Sequence, residues 1–487
     1  MYRKHHVIIL ICIYLILLIS MSACRVTADK CVSLETCIRI AFARSSKLLA
    51  ARHLRESERL KLAASRKGLG FRTDLAVSLK RQDQDFNYED AQLSGVETQY
   101  QHNELLNIRQ TFPWGTTFNL YLDNNLTESD NEVFDQQTGN PLNYGISIQQ
   151  DLFVLSLLQL DIQMAEARLK GSEASLKVVE RQVIFEVGEA YYNYLRALQI
   201  RNARLKALQI ARRLTDLSTR QFEKGVSIDV DLLEARVSLS LAEANLQQAV
   251  MDIETGRNNL SQALGLETYE FDICPVNERK HVPIPEKATL EALLTQNPRL
   301  EALKSQIAQL KVEYQREKRD FDKSIKFEAN YERNAYGRSF EKVYRNDQYD
   351  QIWFVGMTFN IPLWDNGVNQ NNIDAIDYQV KNLSATINDA HQSLIVDLEN
   401  TLNALTRLNT IMSTLSQANQ YAEKNLELMN AKFSRGLNNV YDVVRAEQNL
   451  TNTRLSLINS IIDYNINIIQ LYSLTGCEGL SPYLEEG

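Results

Sequence analysis

The chain has 487 residues, only 18 of them Gly and 8 of them Pro. This length is enough for two or three domains, and the scarcity of helix-breaking residues predicts a mostly helical protein. The 53 Lys and Arg are outnumbered by 61 Asp and Glu and form no basic cluster, which argues against a nucleic-acid partner because phosphate binding needs concentrated positive charge.

The first residues predict an export signal. "MYRKHH" supplies a positive segment, and "VIILICIYLILLIS" supplies an apolar segment too short to span a bilayer comfortably. Two cleavage sites compete. "MSAC" resembles a lipobox, which would end the signal peptide at residue 23 and leave Cys24 as a lipidated first residue, whereas "VTA" predicts ordinary cleavage after residue 28.

The rest of the chain contains an internal duplication. Slid along itself, the segment from Gly145 to Gly265 aligns without a gap on the segment from Gly356 to Gly476. A segment containing three of the eight prolines separates the two copies and is typical of a linker. The predicted bounds are 31–266 for the first repeat, 267–287 for the linker, 288–476 for the second repeat and 477–487 for a short C-terminal tail.

In chain order, each copy begins with a helix and continues with strands, which are predicted at about 71–152 and 324–362. Apolar residues alternate there with polar or smaller ones: Leu75, Val77, Leu79; Phe118, Leu120, Leu122; Ile325, Phe327, Ala329; Trp353, Val355, Met357, Phe359, Ile361. In an exported protein this pattern favours an outer-membrane barrel, with Trp114, Trp353 and Trp364 at the membrane interface. A soluble sandwich with core tryptophans is the alternative.

The strand count decides how such a barrel would close. About two strands per copy are too few for one chain, since a membrane barrel needs about eight or more and tolerates no open edge. Three chains would supply twelve. An extra hairpin predicted between Leu105 and Asn124 either joins the barrel or lies on it.

Long helices follow the strands. No proline occurs between Pro141 and Pro275 or between Pro362 and Pro482, so a helix from about Leu155 to Phe222 would extend about 100 Å. Apolar residues at steps of three and four predict a coiled-coil seam. They are Ile184, Val187, Tyr191, Tyr194, Leu198, Leu205 and Leu208 in the first copy, and Ile395, Leu398, Leu402, Leu405 and Met412 in the second.

Each long helix ends in a turn of related sequence, "FEKGVSIDVDLLEA" from Phe222 and "FSRGLNNVYDVVRA" from Phe433. We call residues 222–231 the first turn and residues 433–442 the second turn. Gly225 and Gly436 suit a left-handed helix cap, which Lys224 and Arg435 complement with positive charge. Asp231 and Asp442 are acids of the kind that the first turn of the next helix favours.

From Cys31 to Gly476 the chain resembles the TolC-like outer-membrane factors. The resemblance depends on "TQNPRL", on "IPLWDNG" from Ile361 to Gly367, and on the twin turns, all in order within the duplication. It implies a trimeric β-barrel in outer-membrane lipid joined to a long α-helical tunnel in the periplasm. The implied partners are an adaptor protein and an inner-membrane pump. The implied function is efflux of drugs or metals, or alternatively type I protein secretion.

The resemblance also implies roles for the two turns. Gly225 and Gly436, with Phe222 and Phe433 and the adjacent Lys224 and Arg435, would contact the adaptor. Asp442 would face the pore in a periplasmic gate, with Asp231 as its counterpart. Arg445 stands where family members have a further Asp, and it aligns with Glu234 of the first copy, so we expect these two to pair across the gate unless Arg445 is simply solvated.

Other functions find little support in the sequence. The six His residues do not cluster, and no nucleophile elbow, phosphate loop or metal-ligand motif is present, so we expect no enzyme, cofactor or metal site. A periplasmic coiled-coil scaffold would explain the long helices, but it leaves the tryptophan-rich strands without a role.

Overall fold

The computed structural model describes residues 32–83, 98–130, 137–152, 157–225, 228–267, 273, 284–320, 324–337 and 349–477. The predicted signal peptide and Cys24 lie outside the described residues, as do most of the linker and of the C-terminal tail. The described elements, in chain order, are α1 Leu34–Arg44, α2 Ser46–Lys67, β1 Phe71–Asp83, β2 Thr98–Thr111, β3 Thr116–Asp130, β4 Gln137–Leu152, α3 Leu157–Glu223, α4 Asp229–Leu264, α5 Lys287–Leu294, α6 Pro298–Asp320, β5 Ser324–Gly337, β6 Tyr349–Asn360, α7 Val368–Ser434 and α8 Val440–Thr475.

The two copies have helices of equal length. Helices α3 and α7 have 67 residues each, and α4 and α8 have 36 each. The shift that aligns the two sequences also aligns the first and last residues of both helix pairs, so the sequence repeat and the helix repeat have the same length. Gly265 and Gly476 end α4 and α8 in the left-handed conformation, with φ of 68° and 65°.

The copies differ before these helices. In the first copy the chain between the end of α2 and the start of α3 runs from Lys67 to Leu157, whereas its counterpart between α6 and α7 runs only from Asp320 to Val368. The first copy therefore holds a longer segment between its short helix and its long one. The additional length is accounted for by β2, β3 and their flanking segments, and we call these two strands with their turn the added hairpin (Thr98–Asp130).

All six strands form one antiparallel sheet in the order β1-β2-β3-β4-β5-β6. The added hairpin lies between β1 and β4 and pairs with both. The expectation of about two strands from each copy is therefore wrong for the first copy, which supplies four. The alternation of apolar and polar residues in the hairpin continues that of its neighbours in the sheet. Among the described strands, none pairs with the outer edge of β1 or of β6.

The sheet has one apolar face, formed by every second residue of each strand. Residues that face one another across neighbouring strands lie on the same side, so the pairing defines rows across the sheet. Two rows of the apolar face are Thr73, Ile108, Leu120, Ile146, Tyr331, Trp353 and Phe71, Gln110, Phe118, Ile148, Ala329, Val355. A row of the opposite, polar face is Arg72, Arg109, Asn119, Ser147, Asn330, Phe354.

The chain divides into two compact units. One comprises the described residues within Met1–Ser46, Glu180–Leu293 and Asp397–Gly487, and the other those within Lys47–Val179 and Leu294–Val396. The second unit contains the sheet together with α2 and α6. In it Gly171 lies against Ser305, whose hydroxyl donates to the carbonyl of Ala167, so that α3 and α6 approach closely.

The first unit is built on the predicted seam. Val187, Tyr191 and Leu398 are fully buried, as the steps of three and four predict. Leu205 departs from this pattern, because its side chain is 37% exposed. In the described part of the chain, no helix is both long enough and apolar enough to cross a membrane.

Candidate functional site

The second turn ends α7 in a complete left-handed cap. The N–H of Leu437 donates to the carbonyl of Lys432 at 3.0 Å, and the N–H of Gly436 donates to the carbonyl of Phe433 at 3.0 Å. Gly436 has φ of +70°, a conformation that a side chain would strain. The left-handed cap predicted at Gly436 is thus confirmed.

A second capping interaction begins α8. The side chain of Asn439 accepts a hydrogen bond from the N–H of Asp442 at 3.1 Å. Asp442 is half-buried in the first turn of α8, where its carboxylate is favourable beside the positive end of the helix. Asn439 was not among the predicted site residues, although an Asn just before the first apolar residue of a helix is a recognised start signal.

The second turn rests on a packed apolar cluster. Phe433 is 4% exposed, and Val440 and Val443 are fully buried beside it. Helices α3 and α4 contribute Leu214 and Ala235 to the same cluster, so helices from both copies meet there. Backbone caps and packing together make this turn a well-ordered structure.

The alanine shared by the twin motifs has a packing role that the sequence analysis missed. Ala235 and Ala446 occupy equivalent positions, four residues after the aspartates, and both are buried in this cluster. A small side chain at each position lets neighbouring helices approach closely. The repeated alanine therefore serves the fold beneath the turns.

The first turn is more open. Gly225 has φ of +72° and its N–H donates to the carbonyl of Phe222 at 2.9 Å, which confirms the left-handed conformation predicted there. Phe222, however, is 40% exposed. Ile228, at the position equivalent to Asn439, makes no side-chain hydrogen bond to the start of α4.

Helix α4 continues this exposure along one face. Its outer face carries apolar side chains at steps of three and four, all largely exposed in the single chain: Val230, Leu233, Val237 and Leu241. Such a stripe on a long helix is typical of a surface that packs against another helix.

The charged residues predicted at the gate lie in this same unit. Asp231 and Glu234 are half-buried on α4, and Arg445 is exposed on α8. Glu234 and Arg445 are both described residues, yet no ion pair joins them within one chain. The predicted contact would therefore have to form between two chains of the assembly. Lys224 and Arg435 are exposed beside their glycines.

A groove of about 590 Å³ lies beside the second turn, between α3, α7 and α8. Its lining mixes apolar and charged side chains and includes Phe433 and an ion pair between Arg454 and Glu423 at 2.5 Å. Within the residues that the structure describes, no three His, Cys, Asp or Glu side chains are placed to hold a metal ion.

The three tryptophans lie on or beside the sheet. Trp353 is within β6 on the apolar face, whereas Trp114 and Trp364 lie in segments beyond the strand ends. Trp114, in the β2–β3 turn, stacks on Phe112 with 4.9 Å between ring centroids. Trp364 is exposed beside Asp365, whose carboxylate accepts from the N–H groups of Gly367 at 2.9 Å and Asn369 at 2.7 Å and so begins α7.

Comparisons with known proteins follow the same division of the chain. A family model described as outer membrane efflux protein matches residues 37–266 and 289–477. Outer membrane protein TolC of Escherichia coli is 22% identical over 347 residues, which are 69% of this chain and 70% of that protein. Alkaline protease secretion protein AprF of Pseudomonas aeruginosa is 26% identical over 235 residues, 46% of each chain. The CmeC outer membrane channel of Campylobacter jejuni superposes with a TM-score of 0.70 at 15% identity, covering 91% of this chain and 85% of that one.

Proposed function

The chain belongs to the outer membrane efflux protein family, and from this premise we propose that it forms the outer-membrane exit of an export system for small molecules such as drugs or metals. The protein is a channel component of a tripartite efflux or secretion system, located in the outer membrane with its helices in the periplasm. A passive conduit of this kind needs no catalytic group.

The observation that carries this function is the apolar face of the six-stranded sheet. Leu75, Leu120, Ile146 and Trp353 are all exposed on it, and a contiguous exposed apolar face of this kind marks a surface that a partner or a membrane covers. Lipid is the solvent that matches this face, and in lipid the outer edges of β1 and β6 must be paired. A periplasmic scaffold would leave this face without a role.

The open edges of the sheet support assembly with further chains, and the family resemblance implies that the assembly is a homotrimer. One chain leaves two strand edges open, and further copies can pair with both. The apolar stripe of α4 supports the same assembly, because another copy would bury Val230, Leu233, Val237 and Leu241. In this arrangement Glu234 of one copy can meet Arg445 of the next.

The two turns are the proposed contact with a periplasmic adaptor that leads to an inner-membrane pump. Gly225 and Gly436 are exposed, and a side-chain carbon built on either glycine meets nothing within 4 Å. Another backbone can therefore approach closely at both turns. Asp442, held at the start of α8, would supply an acidic ring to the gate, with Asp231 as its counterpart.

Protein secretion is the second candidate for the cargo. The likeness to AprF, which is named for the secretion of alkaline protease, favours it, although that match covers less than half of this chain. A passive channel takes its specificity from its pump. The cargo class is therefore set by the pump that the adaptor recruits.

The test is deletion and complementation in the native host. Loss of the protein should raise intracellular accumulation of a dye or metal substrate. Wild-type protein should restore export and should be found in the outer-membrane fraction. The control is Gly436→Trp, expressed as an intact trimer at equal level and expected not to complement. Unchanged accumulation together with loss of a secreted protein would replace the efflux proposal with secretion, and a monomer in the soluble fraction would overturn both.

A further inference from the structure

We propose that the added hairpin is part of the membrane wall, so that three copies close an eighteen-stranded barrel and give the exit a wider pore than twelve strands would. This inference rests on the proposed function, since it assumes that the sheet lies in the outer membrane. It states that the open sheet edges of each chain pair with neighbouring chains of the same protein, and it predicts the width of the resulting pore.

The hairpin occupies the place where the two original strands would otherwise meet. Strand β2 pairs along the whole of β1, from Phe71 opposite Gln110 to Asp83 opposite Thr98. Strand β3 pairs with β4, with Thr116 opposite Gln150. Because β1 and β4 each use their facing edge for the hairpin, the sheet cannot close around it, and the hairpin cannot lie on the barrel as a separate layer.

The apolar face runs through the hairpin without interruption. Ile108 and Leu120 of the hairpin lie in one row with Ile146, Tyr331 and Trp353 of the neighbouring strands. A hairpin folded into the lumen would turn these side chains to water. Their shared face therefore places the hairpin in the same lipid-facing wall as β4, β5 and β6.

The polar face also joins the hairpin to the second copy. The Tyr121 hydroxyl on β3 donates to the Glu332 carboxylate on β5 at 2.8 Å, reaching across β4. It crosses β4 at Gly145, where an added side-chain carbon would lie 2.7 Å from the Tyr121 oxygen and 2.6 Å from the Tyr331 carbonyl. This contact links β3 of the added hairpin to β5 of the second repeat.

Strand parity allows closure with either number. Two additional strands leave β1 and β6 antiparallel, as a closed barrel of alternating strands requires. With strands about 4.8 Å apart and tilted by about 40°, eighteen strands give a barrel about 36 Å across and twelve give about 24 Å. Barrels of sixteen to eighteen strands keep an open aqueous channel.

Site-specific labelling tests the position of the hairpin. In full-length trimers in liposomes, a fluorophore on Leu120→Cys should be quenched by brominated lipid, and Asn119→Cys should react with a charged, water-soluble reagent added to the lumen. Ile146→Cys and Ser147→Cys on β4 are matched controls in the same rows. Quenching at 146 without quenching at 120 would remove the hairpin from the wall. Absence of quenching at both positions would instead contradict the outer-membrane location on which the inference rests.

Electron microscopy of the wild-type trimer gives an independent measurement that needs no variant. The wider of the two barrels, with eighteen strands visible in its wall, supports the inference. The narrower, twelve-stranded barrel, with β2 and β3 outside the ring, refutes it while leaving the channel function intact.

Discussion

The cap that begins α8 predicts a measurable difference in local stability between the two turns. Replacing Asn439 by Ala removes the hydrogen bond to the Asp442 N–H at 3.1 Å and leaves that N–H to water. Loss of such a cap costs about 1 kcal/mol, within a range of about 0.5 to 2. Because local opening governs amide exchange, we expect exchange in the first turn of α8 to accelerate about fivefold, since RT is about 0.59 kcal/mol.

The duplication supplies the matched experiment. Ile228 occupies the equivalent position and has nearly the same backbone angles, φ −93° and ψ 158°, against −92° and 172° for Asn439. Ile228→Asn should therefore create the missing cap and slow exchange in the first turn of α4 by a similar factor. Hydrogen-exchange mass spectrometry on the purified trimer measures both. Equal exchange in wild type and Asn439→Ala would refute the argument that this side chain stabilises the second turn.

Three further predictions concern the helices and turns. Gly436→Trp should abolish transport while the trimer and its membrane insertion persist on native gels, and normal efflux at equal protein level would contradict adaptor docking at this turn. Arg445→Glu and Glu234→Arg should each raise single-channel conductance in planar bilayers, and the double swap should restore the low conductance of the wild type. Additive effects would mean that the two side chains do not meet. Gly256→Leu should lower the melting temperature of the detergent-solubilised trimer, because its side-chain carbon would lie 3.1 Å from the backbone of α3; an unchanged melting temperature would contradict this close packing.

The long helices and the duplication could be predicted because their signals are local. Proline is absent from α3, α4, α7 and α8, and the gapless alignment of the two copies fixes equivalent helix bounds in both. The left-handed turns at Gly225 and Gly436 were predictable for the same reason, since glycine after a helix with a basic neighbour is a local signature.

The strands that flank the hairpin in the sheet could not be predicted. Alternation states which face a side chain occupies, but it does not state which strand lies alongside. The pattern around Leu120 fits a hairpin in the wall and a hairpin on its surface equally well. Only the pairing of β2 with β1 and of β3 with β4 distinguishes them.

The different burial of Phe222 and Phe433 could not be predicted from the likeness of the two turns. Phe433 packs beside the fully buried Val440, whereas the position equivalent to Val440 in the first copy is Asp229, which is exposed. A carboxylate at that position cannot form an apolar base for Phe222. This substitution removes from the first turn one of the apolar neighbours that bury Phe433 in the second.

Because of the added hairpin in the first repeat, the sheet and the helices of the proposed trimer differ in symmetry. Two helix pairs of equal length per chain repeat nearly six times around three copies, with turns of two alternating kinds. The sheet, with four strands from one copy and two from the other, repeats only three times. A partner that binds at the turns therefore meets six near-equivalent positions, whereas any partner of the membrane end meets strictly threefold symmetry.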